Sequence, residues 1–438
     1  MIKSVKVRYI FFKIEINLII NFILLFTFTQ CNKNDLSTDN FEEIETVQEE
    51  IQNNSDKKIF NFDKIKCNNG FANTFPCKEY DLLNWIPLSF FDSESANDNW
   101  GWTDSKSKRE FVLQGLNDGL AFLDITDPQK VIYLGKLPSA TGPSDWRDVK
   151  IYDDHAFIVS EAPNHGLQVF DLNNLLESDE FKTFNEDYIA NDFGSAHNIA
   201  INTFSGFAYI LGSALYKGGP VFYDISFPEQ PILRGGFSDT SYIHDAQIIT
   251  YKGEDQNYFE KEILFGSNSD GGETNQLIIL DVTEKTNPQL ISTISYSYGG
   301  YSHQGWIDEN HRYFYLGDEL DELRYGNKTR IITFDLKDIK NPKIHFVYEG
   351  KTDAIDHNLY IKSNKLYLSN YTAGLRELNI ENIENQEIIE EAFFDTHPES
   401  DDASFEGVWN SYPFFESGVI ALSDIKRGLF LILSLIHI

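Results

Sequence analysis

A short apolar strand ending in an acid or amide returns along this chain at intervals of about 45–55 residues. That period constrains the fold more than any single residue does. The copies read Gly119-Leu-Ala-Phe-Leu-Asp124, Gly166-Leu-Gln-Val-Phe-Asp171, Pro220-Val-Phe-Tyr-Asp224, Leu277-Ile-Ile-Leu-Asp281, Ile331-Ile-Thr-Phe-Asp335 and Gly374-Leu-Arg-Glu-Leu-Asn379. A seventh breaks off as Gly428-Leu-Phe-Leu431. A repeat this long, holding only short strands, cannot bury its faces alone, so the copies must stack. Four strands fit each period, which points to propeller blades and away from an α-solenoid.

The rest of each cassette agrees. After the acid comes a turn, often with proline: Thr126-Asp-Pro128, Phe227-Pro228, Asn287-Pro288, Asn341-Pro342. Proline fixes φ and lacks an N–H, so it suits the turn and not the ladder. Outer strands such as Ile132–Leu137 and Leu290–Ile294 follow. A polar or aromatic anchor then opens the next blade, and an alternating strand leads to an aromatic-rich one such as His155–Val159 or Phe207–Leu211. Helix should be scarce, with 175–189 the one stretch where a short helix is expected. The last cassette lacks its outer strand, while Leu82-Leu-Asn-Trp-Ile-Pro-Leu88 lies unclaimed ahead of the first. A ring closes most simply if this segment completes the final blade, which also removes open sheet edges. The expected fold is therefore all-β, a seven-bladed propeller over roughly residues 67–431 closed by an N-terminal strand.

The N-terminus places the ring outside the cytoplasm. Lys3, Lys6, Arg8 and Lys13 precede a mostly apolar run from Ile16 to Phe28, and Cys31 follows. This is a basic region and an apolar segment too short for a dependable membrane span. Residues 1–30 read as a signal peptide, and Cys31 resembles the lipidated cysteine of a bacterial lipoprotein in the relaxed form seen in Bacteroidetes-like bacteria. A signal with an incidental cysteine is the competing reading. Residues 31–66 then form a lipidated cysteine and a polar, acidic, disordered tether. Cys67 and Cys77, ten residues apart in an exported chain, are expected to form a disulfide. The net charge of −32 argues against nucleic acid and anionic lipid as partners. One methionine against 35 Phe and 22 Tyr means a core of aromatic and β-branched side chains.

Several runs together carry a resemblance. Asn97-Asp-Asn-Trp-Gly-Trp-Thr103, Gly115–Pro128, Ser144-Asp-Trp-Arg-Asp-Val-Lys150 and His244-Asp-Ala-Gln247 are similar to the choice-of-anchor B family. So are Ser302-His-Gln-Gly-Trp306, Gly317–Glu322, Ile355–Tyr360 and Ser369–Leu375. The similarity runs collinearly over about residues 67–431. It implies LVIVD-type propeller repeats and a place at the outer membrane or cell surface, with a lipid at Cys31 as the only link to the membrane. A monomer is expected. The resemblance implies no molecular activity. The end of the chain, residues 432–438, fits neither the repeat nor a sorting domain and resembles translated vector sequence. An authentic apolar end packed on the last blade is the alternative.

Candidate chemistry sits at the anchors. Trp146, Arg147, Asp148, His197, Asn198, His244, Asp245, His303, Gln304, Asp356, His357 and Asn358 recur in phase with the blades, so ring geometry should gather them at the channel mouth. The four in-phase histidines, His197, His244, His303 and His357, are candidate ligands for a divalent cation such as zinc or calcium. The same residues equally suit a structural role, tying strand ends and joining blade to blade. His155 and His165 fall outside the phase. Two acidic loops, Asp318–Glu322 and Asn268–Glu273, are rich in the oxygen donors that suit Ca²⁺, with a solvated turn as the default. No nucleophile elbow, Walker loop or zincin motif is present. Two functional classes remain: a surface-anchored module that binds a glycan, peptide or protein, and a metal-dependent hydrolase or lyase.

Overall fold

The computed structural model describes residues 58–177, 180–269 and 274–436. Within them the chain forms seven antiparallel blades around one axis. The inner strands are Ala96–Thr103, Arg147–Tyr152, Asn198–Asn202, Ile243–Thr250, Ser302–Ile307, Leu359–Lys362 and Val408–Tyr412, for blades 1 to 7. The repeated apolar line is the third strand of each blade, and it is buried on both faces: every residue of Gly119–Asp124 is buried. Each blade is sandwiched between two others, so alternation disappears there, while outer strands such as Gln289–Ser295 are largely exposed.

Among the described residues seven apolar clusters bridge the seven junctions between blades. Phe111 and Phe122 of blade 1 pack with Ile158 and Phe170 of blade 2. Val112 and Leu123 of blade 1 pack with Ala421 and Leu431 of blade 7, which closes the ring.

The acid ending each third strand makes a turn. Asp124 Oδ1 accepts from Thr126 N at 2.9 Å, Asp171 from Asn173 N at 2.9 Å, and Asp335 from Lys337 N at 2.8 Å. Asp224, Asp281 and Asn379 repeat the bond two residues on. These Asx turns aim the chain into the outer strand, so the signature acid is structural.

The closing strand is Tyr80–Ile86. It pairs antiparallel with Gly428–Ser434, matching Ile86 to Leu429 and Tyr80 to Ser434. A register shift between Leu431 and Ile432 repeats the bulge seen at Phe122/Leu123 and Ile279/Leu280, so the segment occupies the same place as any other outer strand.

The boundary at 431 therefore moves. Ile432 is fully buried, Leu433 and Ser434 stay in the ladder, and Ser434 Oγ accepts from Ile436 N at 3.3 Å, where other blades use an acid or amide. Residues 432–434 complete the seventh repeat; 437 and 438 lie outside the described residues.

Two further expectations change. Within the expected tether of residues 31–66, Lys58–Asn61 pairs with Lys130–Tyr133 as a fifth strand on blade 1, and Phe60 is buried. Residues 1–57, with the signal peptide and Cys31, lie outside the described residues. Around the expected helix of 175–189, Leu172–Leu175 forms a 3-10 turn, while Lys182–Thr183 and Tyr188–Ala190 are extended and paired. Among the described residues the α-helix is instead Asp321–Tyr325, between the second and third strands of blade 5. Cys67 and Cys77 are disulfide-bonded, and Phe75–Lys78 adds to the outer edge of blade 6. The N-terminal segment thus straps blades 6, 7 and 1 together.

Candidate functional site

Each inner strand begins on the same face of the ring as the loop joining the second and third strands of its blade. The in-phase anchors therefore collect at one mouth of the channel, in two layers.

The upper layer is aromatic. His197, His244, His303 and His357 form an arc, with successive ring centroids 4.1, 4.3 and 4.3 Å apart, and Trp409 of blade 7 continues it 4.9 Å beyond His357. The Nδ1 atoms point to the next blade: His244 Nδ1 lies 3.1 Å from His303 O, and His357 Nδ1 lies 2.5 Å from Trp409 O. A carbonyl can only accept, so these nitrogens carry the proton and leave Nε2 as a lone pair. Burial pushes His303 and His357 down to about 3 and His244 well below its ordinary value, so all three are neutral at physiological pH. His197 differs, with Nδ1 held 2.7 Å from Glu161 Oε1.

The lower layer locks blades together. Asp148 Oδ2 accepts from Ile199 N at 2.9 Å, and Gln304 Oε1 from Leu359 N at 2.9 Å. Asn198 donates to Asp245 Oδ2, Asn358 to Asn410 Oδ1, and Asn410 to Asn99 O. Lys150 lies 2.5 Å from Asp148 and 3.2 Å from Asp98. Burial lowers its affinity for a proton, but those carboxylates outweigh burial and hold it above the ordinary value. Burial, then the charge of Asp148, raises Asp245 to about 7. These side chains give the anchors their structural role, and they narrow the channel at the mouth. The cavity under the histidine arc is about 20 Å³, room for one water or ion and too small for a sugar.

Arg147 lines the mouth cavity with the histidines, and its buried guanidinium turns toward blade 1, donating to Leu116 O at 3.1 Å, with His165 Nε2 2.9 Å from its Nη1. Two sequence expectations change. Asp356 leaves the channel: its carboxylate accepts from Asp318 N at 2.7 Å and Arg330 N at 3.1 Å at the junction of blades 5 and 6. The four histidines also do not form one ligand set. Among the described residues no tight group of candidate ligands includes His197 or His244.

The tight group is His303, Glu319 and His357, whose candidate ligand atoms all lie within 4.8 Å of one another. Each Nε2 is 3.7 Å from a Glu319 oxygen, and the Tyr371 hydroxyl donates to Glu319 Oε1 at 3.0 Å. Two neutral imidazoles and one oriented carboxylate match a divalent transition-metal site with open positions. Glu319 belongs to the acidic run 318–322, yet its spacing gave no hint of convergence with histidines in other cassettes. The run is no solvated turn: Asp318 and Asp321 are fully buried and Glu322 nearly so. Residues 270–273 of the other acidic loop lie outside the described residues. Trp409 and Asn410 are missing from the expected anchors, although an aromatic followed by an amide repeats the His-Asn anchor one blade later. His155 meets only Asp153 O and His165 only Arg147 and Gly166, as expected of residues outside the phase. Trp146 stands 46% exposed on the rim, and Phe405 packs on Tyr371 5.7 Å away.

No family model matches the chain, and no curated protein matches it. Among solved structures the chain is similar to the structure of U3-55K, with 9% identity over 81% of this chain and 98% of that one, and a TM-score of 0.51. A protein from Lactobacillus plantarum matches 75% of this chain and 88% of its own, with 12% identity and a TM-score of 0.48. The first likeness shows the propeller fold and nothing about its ligand.

Proposed function

We propose that this propeller is a binding module of the choice-of-anchor B type, exported and held at the cell surface by a lipid on Cys31. Its recognition centre is the channel mouth, where His303, His357 and Glu319 hold a divalent transition metal such as zinc. The observation that carries this reading is the convergence of two neutral imidazoles and a tyrosine-oriented carboxylate within 4.8 Å, over a mouth cavity of about 20 Å³. A metal there exposes a coordination position to an oxygen of a glycan, peptide or protein, and the exposed Trp146 and Phe405 supply apolar surface on the rim. A hydrolase on the same residues needs a proton acceptor at the open position, and Glu319 is committed as ligand and as acceptor from Tyr371.

Equilibrium dialysis of the purified chain against zinc tests the centre. Wild type should retain about one equivalent, and His303→Ala and Glu319→Gln should each weaken retention at least about tenfold. His197→Ala should not. Equal retention by all four proteins would remove the reading.

A further inference from the structure

A second group lies behind the first, made of oxygen donors only. Asp321, Glu322 and Asp356 bring one carboxylate oxygen each within 4.8 Å of one another, and all three are buried. Asp321 and Glu322 belong to the short helix after blade 5's second strand, and Asp356 opens blade 6. Their partners are too few. Asp321 Oδ2 meets the Arg330 guanidinium, and both Asp356 oxygens accept backbone N–H groups. No N–H or O–H of another described residue reaches Asp321 Oδ1 or either Glu322 oxygen; the buried Glu322 side chain meets only the carboxyl groups of Asp356 and Asp321.

Nearby Asp318 is saturated by Gly300 N, Tyr301 N and the Tyr296 hydroxyl, so it adds charge without relieving the others. Four buried carboxylates thus face one guanidinium. Carboxyl oxygens facing each other in a buried site need a proton or a cation between them, because unpaired buried anions repel one another and lack solvation. The backbone is shaped for the approach: a Cβ on Gly317 would lie 2.5 Å from Asp356 Oδ2.

We propose that Asp321, Glu322 and Asp356 bind a calcium ion that clamps the helix Asp321–Tyr325 to the first residues of blade 6. Hard carboxylate oxygens with no nitrogen or sulfur donor suit Ca²⁺, which takes 6–8 oxygens at about 2.3–2.6 Å in adaptable geometry. The clamp uses none of the three transition-metal ligands, so it stands or falls independently of that centre. It does fix the two segments that carry them, since Glu319 precedes the helix and His357 follows Asp356 in the chain.

The test is calorimetric and thermal titration of the whole exported chain with CaCl2 after EGTA treatment at neutral pH. One bound ion per chain and a melting temperature raised by several degrees are expected. Glu322→Gln, nearly isosteric, should weaken calcium binding at least about tenfold, and His303→Ala should leave it unchanged. Stripped wild type that takes up no calcium and melts at the same temperature with and without it overturns the proposal, and identifies a shared proton as the occupant. So does calcium binding untouched by Glu322→Gln. Should that variant fail to fold, wild-type crystals soaked in terbium decide: an anomalous peak among the three carboxylates supports the clamp, and its absence there overturns it.

Discussion

Ile86→Ala tests whether ring closure by the N-terminal strand is a matter of core packing. Ile86 is fully buried, paired with Leu429, and sits in the cluster that joins blade 7 to blade 1. Truncating a buried isoleucine to alanine costs about 2–5 kcal/mol, the lost transfer free energy plus the cavity left behind. At this chain length unfolding entropy is large, and about 1 kcal/mol shifts the melting temperature by roughly 1–1.5 °C, so a fall of about 3–6 °C is expected. Leu290→Ala is the control. Leu290 also lies on an outer strand, in blade 4, but is 48% exposed, so its truncation should stay within about 0.5 kcal/mol. Urea unfolding at pH 7.5 by tryptophan fluorescence measures both, and the slope with denaturant should match wild type. Equal midpoints for Ile86→Ala and Leu290→Ala would refute the reasoning, because the closing strand would then be held by backbone pairing alone.

Replacing Cys67 and Cys77 by serine opens a loop spanning ten positions and should cost about 2–3 kcal/mol, read as a lower urea midpoint that reductant no longer changes. His165→Gln should change the pH dependence of stability. Burial, then the Arg147 charge, lowers folded His165 to about 4, so it is neutral when folded and takes a proton when unfolded below about 6.5. Its contribution is full above pH 6.5 and is lost as pH falls toward 4. The stability gap between wild type and variant should therefore narrow by about 2 kcal/mol between pH 7 and 5; a gap constant across urea midpoints at the two values contradicts this. Cys31→Ser should move the protein from the membrane to the soluble fraction, since the tether has too little apolar surface to replace an acyl chain; unchanged fractionation, or an N-terminus upstream of Cys31 by mass spectrometry, counts against lipidation.

Blade number and closure were legible because they follow from local patterns repeated at a fixed period. The apolar third strand, its terminal acid and the missing final strand each mark a backbone event within a few residues: a buried ladder, an Asx turn, an open edge. The same logic reached the in-phase histidines and missed the clamp at Lys58–Asn61, whose pairing partner lies seventy residues on. It also stopped the last strand at Leu431, because the seventh repeat ends in Ser434 and not in an acid.

The sequence by itself determined that the chain is a closed seven-bladed ring and which cassette position faces the channel. Only the tertiary structure decided what those positions do. Whether Asp356 points along the axis or into the junction of blades depends on which backbone N–H groups its neighbours leave free. That Glu319 meets His303 and His357, while His197 and His244 stand apart, depends on one loop folding back over the mouth. Side-chain direction at a strand end is set by contacts between blades far apart in the chain, and a one-dimensional period carries no record of those.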